Sequence, residues 1–149
     1  MLILLEVLKM LYHLIIYEYP SGKLILEHTF KEIIKDETYE TLSSFLAALN
    51  QFAKGLLDKQ DRLDLVRFGN LIIKMDHLKD VSLDLALVFD ADNHKIIKKL
   101  GPKIIKKILE YSSLFTEWNG VSMDDFSLLK EALLNMVRKF IFKTEMDVT

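Results

Sequence analysis

The residues of this chain with the best claim to chemistry are its four histidines, one short acidic run and one cluster of lysines. His13, His28, His77 and His94 fall in four separate stretches, and no two have the three- or four-residue spacing that puts two imidazoles on one helical face, so they do not read as a metal pair. His13 and His28 lie on the two arms of one expected hairpin, where they serve either as structural groups or as a shared, pH-sensitive contact. Asp90-Ala91-Asp92-Asn93 offers oxygen ligands but lacks the glycine and the distal glutamate of a calcium loop, and it reads better as a turn that caps a helix. The five glycines form neither GxxxxGK[ST] nor GxGxxG, so no phosphate cradle is expected. No serine sits in a GxSxG elbow, and the absence of cysteine removes thiol nucleophiles, disulfides and thiolate metal sites together. With no nominated nucleophile or general base, the expectation is a protein without catalytic residues, cofactor or metal.

Lys95, Lys98, Lys99, Lys103, Lys106 and Lys107 alternate in helical rhythm with Ile96, Ile97, Leu100, Ile104, Ile105 and Ile108. Two readings fit: a solvated face over a buried isoleucine stripe, or a surface that attracts an anionic membrane or an acidic partner. Nucleic acid is not expected, because no aromatic residue interleaves with these lysines to stack on bases and the whole chain carries a formal charge of -2.

The elements that must position these residues follow from hydrophobic period. Residues 12–19 (YHLIIYEY) and 24–30 (LILEHTF) are β-branched and aromatic, and the turn Pro20-Ser21-Gly22-Lys23 joins them as a hairpin whose first arm, apolar on both faces, lies deeper. Asp36 or Thr38 caps a helix in which Tyr39, Leu42, Leu46, Leu49, Phe52 and Leu56 form the apolar stripe, with Glu40, Ser43, Asn50 and Lys54 opposite. Runs 63–68, 71–78 and 82–89 then alternate as three antiparallel strands, the first two joined by Gly69-Asn70. Residues 94–115 are helical in period but contain Gly101-Pro102, which makes either two short helices or one kinked one. Ser122-Met123-Asp124-Asp125 is a capping box, and the helix it opens runs to about Phe142 with Phe126, Leu129, Leu133, Met136 or Val137, and Phe140 on its inner side.

The fold class expected from this order is α+β: a five-stranded antiparallel sheet in β-β-α-β-β-β-α-α order, a layered, profilin-like architecture in one domain spanning residues 1–149. Residues 1–10 read as an N-terminal extension, and helix, added strand and upstream start all fit it; residues 143–149 read as a flexible tail. The apolar run at the N-terminus has no basic start or cleavage site and is far shorter than a membrane span, so a cytoplasmic protein is expected, at most peripheral at a membrane surface.

The hairpin YHLIIYEYPSGKLILEHTF, the helix ETYETLSSFLAALNQF, the meander from RFGNLIIKM to SLDLALVFDADN and the trailing helices together resemble the longin fold of trafficking SNAREs, adaptor small chains and tethering subunits, with roadblock domains as close cousins. The resemblance covers residues 12–142 and is one of element order. It implies a protein-interaction module, a scaffold or regulatory subunit that engages a small GTPase or a longin- or roadblock-type subunit, as a homo- or heterodimer. The alternative is a small-molecule sensor with a pocket between sheet and helices. Leu128, Leu134 and Ile141 fall off the inner stripe of the last helix, and Phe115 and Trp118 precede it; these five are the candidate partner contacts.

Overall fold

The computed structural model describes residues 11–31, 39–57, 64–111 and 123–147. The described elements are β1 (His13–Glu18), β2 (Leu24–Thr29), α1 (Tyr39–Leu57), β3 (Leu65–Phe68), β4 (Leu71–Leu78), β5 (Leu83–Asp90), α2 (His94–Glu110) and α3 (Met123–Asp147). All strand pairs are antiparallel, and the sheet order is β2-β1-β5-β4-β3. The α+β class, the five strands and the element order are those expected from the sequence.

Residue-by-residue alternation divides the core in two. Leu14 and Ile16 of β1, Leu85, Leu87 and Phe89 of β5 and Ile72 of β4 face one way, where Ile97, Leu100, Ile104 and Ile108 of α2 and Leu129, Leu133 and Val137 of α3 pack on them. Ile15, Tyr17, Ala86, Val88, Ile73 and Met75 face the other way with Leu46 and Ala47 of α1. β5 has buried side chains on both faces from Leu83 to Phe89, which is why its sequence is a near-continuous apolar run.

The hairpin has one irregularity. Tyr17 pairs with Leu24 and Ile16 with Leu26, leaving Ile25 as an extra residue in β2. Such a bulge turns two successive side chains toward one face, and Ile25 and Leu26 indeed both enter the core under α2 and α3. The turn after β1 is fixed from two sides: the Tyr19 N–H donates to the Ser82 carbonyl at 3.0 Å, and the Ser43 hydroxyl of α1 donates to the Gly22 carbonyl at 2.7 Å.

That second contact corrects the orientation expected for α1. Ser43 and Asn50, placed on the wet side by the leucine spacing, are buried with Leu46 and Ala47, whereas Phe52 is 66% exposed and Phe45 is 52% exposed. The hairpin turn is the physical cause. Gly22 approaches the helix so closely that a Cβ there would lie 2.7 Å from the Ser44 Cα, and only small side chains at 43, 44 and 47 admit it. Tyr39 and Leu56 contribute no described side chain to the stripe, and the proposed caps Asp36, Thr38 and Ser122 lie outside the described residues.

Two helix bounds also differ. α2 is a single helix with Pro102 inside it and ends at Glu110, not near Phe115, because the buried stripe of Ile97, Leu100, Ile104 and Ile108 continues across the proline and holds both halves on the sheet. α3 continues past Phe142 to Asp147, taking in most of the segment read as a tail. Phe126, Leu129, Leu133 and Val137 are its buried positions.

Candidate functional site

Among the described residues no three His, Asp or Glu side chains converge as a metal site requires. The histidines of the hairpin are kept apart by register: His13 pairs with Thr29 and His28 with Leu14, so the two imidazoles stand on opposite faces of the sheet. Burial, and then the positive charges of Lys130 and Arg138 on α3, hold His28 below the ordinary histidine range. Asp90 acts as a cap, its carboxylate accepting from the Asp92 N–H at 2.9 Å.

One polar pair escaped the sequence reading. Asp84, a polar residue between Leu83 and Leu85 in β5, is only 1% exposed, and the imidazole Nδ1–H of His77, directly opposite on β4, donates to its Oδ1 at 2.7 Å. The Tyr19 ring packs edge-on against this imidazole with centroids 5.0 Å apart. The arrangement satisfies a carboxylate that the strand buries, which is a structural task. His77→Ala is expected to lower stability by about 1–3 kcal/mol, read from the urea midpoint. Replacing both partners by leucine is expected to recover part of that loss, because no carboxylate is then left buried.

The lysines present a more extended surface. Lys95, Lys98, Lys99, Lys103 and Lys106 are exposed on α2, and Lys107 is half-buried with its ammonium 3.0 Å from Glu110 Oε2. α3 lies alongside, and between the helices is a cleft of about 460 Å³ lined by Lys103 and Lys107 from α2 and by Lys139 and Lys143 from α3. Met136 and Phe140 supply its apolar part, and the Lys103 ammonium lies 5.1 Å from the centroid of the Phe140 ring, a cation–π distance. Lys139 and Lys143 were not singled out from the sequence because more than thirty residues separate them from the α2 cluster. The available signal was the shared four-residue step, 103 to 107 and 139 to 143, which lines one flank of each helix.

Of the five candidate partner contacts, Leu128 is 60% exposed on α3. Leu134 is half-buried. The Ile141 side chain, Phe115 and Trp118 lie outside the described residues. Four exposed phenylalanines are not among these candidates, one of them Phe142 on α3. Phe45 and Phe52 are two turns apart on α1, with exposed Ala48 between them, and Phe68, 57% exposed, ends the edge strand β3. For Phe52 the leucine period pointed inward. For Phe68, alternation of a four-residue strand was too short to show a side.

The two sheet edges are unlike. β2 is flanked by α1 and α3, and a cavity of about 330 Å³ lies between it and the start of α3, lined by Leu24, Leu26, Glu27, Phe126 and Lys130 among others. β3 has β4 as its one substantial neighbour among the described residues.

The element order and the all-antiparallel five-stranded sheet are those that the resemblance to longin and roadblock domains implies. Three solved structures are similar to this chain. The gliding protein MglB from Thermus thermophilus is 12% identical, with a TM-score of 0.46 over 95% of this chain and 87% of that one. An MglB structure with a tetrameric arrangement is 12% identical, with a TM-score of 0.45 over 95% and 86%. A roadblock/LC7 domain from Streptomyces avermitilis is 10% identical, with a TM-score of 0.43 over 59% and 76%. No protein-family model matches the sequence, and no curated protein is significantly similar to it. Among the described residues no helix is long and apolar enough to cross a membrane.

Proposed function

We propose that this protein is a non-catalytic interaction module, a scaffold or regulatory subunit that pairs with a second copy or with another longin- or roadblock-type subunit and engages a small GTPase or a trafficking-type partner in the cytoplasm. The observation that carries the reading is the exposed apolar side of α1, where Phe45 and Phe52 stand in solvent while serine and asparagine are turned inward. Large aromatic groups held outward on a rigid helix are the usual anchors of protein interfaces. The edge of β3, ending in exposed Phe68, supports it as a place for strand addition. Leu128 on α3 is a further partner contact in this reading, with Leu134, Ile141, Phe115 and Trp118 flanking it in sequence.

Light scattering of the full chain is expected to give a mass above that of one chain. Phe45→Asp with Phe52→Asp is expected to weaken association by at least about tenfold, since a central aromatic anchor contributes more than about 1 kcal/mol, and to leave the far-ultraviolet circular dichroism of the folded chain unchanged because both rings are more than half exposed in the single chain. A wild-type monomer that binds no member of a panel of small GTPases in either nucleotide state would overturn the reading. The sensor alternative has one observation in its favour, the cavity of about 330 Å³ between β2 and α3, and stabilisation against heat by a small ligand would select it.

A further inference from the structure

The α2–α3 layer combines three features that belong together on a membrane-facing surface. The first is charge concentrated against the balance of the whole molecule: α2 carries six lysines and one glutamate in a chain of net charge -2. The second is the cleft, where Lys103, Lys107, Lys139 and Lys143 surround an apolar floor of Met136 and Phe140. Each ammonium has three donors on a flexible stem, which suits oxygens arranged around one phosphorus. The third is a ridge. Leu128, Asn135 and Phe142 recur every seven residues and so project from one line along α3; Asn135 also lines the cleft, which places this ridge at the cleft's mouth. Leu128 and Phe142 are 60% and 52% exposed.

We infer that this face binds the surface of an anionic lipid bilayer, with a phosphate-bearing headgroup in the four-lysine cleft and Phe142 beside it in the interfacial layer. Lysines draw the protein to acidic lipid and keep their ammoniums among the headgroups, while the apolar ridge enters between them. Size argues against a helical peptide as the occupant: a helix is about 10–12 Å across with its side chains, whereas the cleft holds about 460 Å³. The inference is separable from the assembly proposed above, whose carrying residues lie on α1 and β3; the two share Leu128, which the variants below leave untouched.

Sedimentation of the full chain with vesicles tests it. Binding is expected to vesicles of phosphatidylcholine containing phosphatidylserine, to fall steeply as salt rises from about 0.1 to about 0.5 M, and to be absent with phosphatidylcholine alone. Lys103→Gln with Lys139→Gln is expected to weaken binding about twenty-five-fold, roughly fivefold for each charge near the surface. Lys23→Gln with Lys79→Gln, the same change of net charge in two turns at the sheet's end, is expected to stay within about twofold. Phe142→Ala is expected to weaken the binding that survives at high salt. Equal losses for the two double variants, equal binding to uncharged vesicles, or binding of inorganic phosphate or polyglutamate by a chain that ignores acidic vesicles would each overturn the inference.

Discussion

Leu85→Ala is expected to reduce the free energy of unfolding by about 3–5 kcal/mol, a loss that urea denaturation would register as a large fall in midpoint with little change in slope. Leu85 lies on β5, the middle strand, and is fully buried. It stands between Ile16 of β1 and Asp76 of β4 in register and points toward the layer made by α2 and α3. Both strand neighbours are fixed by ladders and both helices are held by several other buried contacts, so the vacated volume cannot collapse. Leu128→Ala, the same deletion on the exposed ridge of α3, is expected to stay within about 0.5 kcal/mol. A cost below about 1 kcal/mol at Leu85 would mean that α2 and α3 do not press on the sheet as described.

Gly22→Ala is expected to cost about 2–4 kcal/mol, an unusually heavy effect for one methyl group in a turn. Two terms combine. The residue has φ of +77°, where an L side chain costs about 1–2 kcal/mol. Its new Cβ would also stand 2.7 Å from the backbone of Ser44, which cannot rotate away as a side chain would, so the turn and α1 must separate and strain the bond from the Ser43 hydroxyl. Gly69→Ala separates the terms: φ there is +61° but nothing lies within 4 Å, so only the backbone penalty of about 1–2 kcal/mol is expected. Equal losses at the two glycines would show that the hairpin turn does not touch α1.

The strands and helices were legible because most of the chain repeats with a clear period. Alternating Leu83, Leu85 and Leu87 announce β5, Gly69-Asn70 announces the β3–β4 turn, and the isoleucine stripe of α2 runs through a proline that local rules alone would treat as a break. What remained hidden depends on contacts between elements. The rotation of α1 is set by a glycine twenty-one residues earlier, which demands small side chains and outweighs the pull of one phenylalanine toward the core. Asp84 looks solvent-facing until His77 is known to be its cross-strand partner, and that register rests on the length of the Lys79–Val81 turn. The six lysines of α2 were visible from their density, while the two that complete the cleft come from another helix and become neighbours only when α2 and α3 pack. Periodicity reports what one element does with its own faces; sites shared between elements leave at most a matching step in each.

The extra residue in β2 has a consequence at the scale of assemblies. A bulged strand flanked by helices is out of step at Ile25 and keeps only Leu26–Thr29 as a regular run, so an incoming strand meets both a broken ladder and neighbouring helices there. The opposite margin, at β3, is short but regular. A ribbon with one receptive side and one blocked side can be lengthened once, by its own mirror-order copy across a two-fold axis, and then has nothing left to offer. Growth by strand addition is therefore self-limiting, which protects so apolar a sheet from running on into fibres.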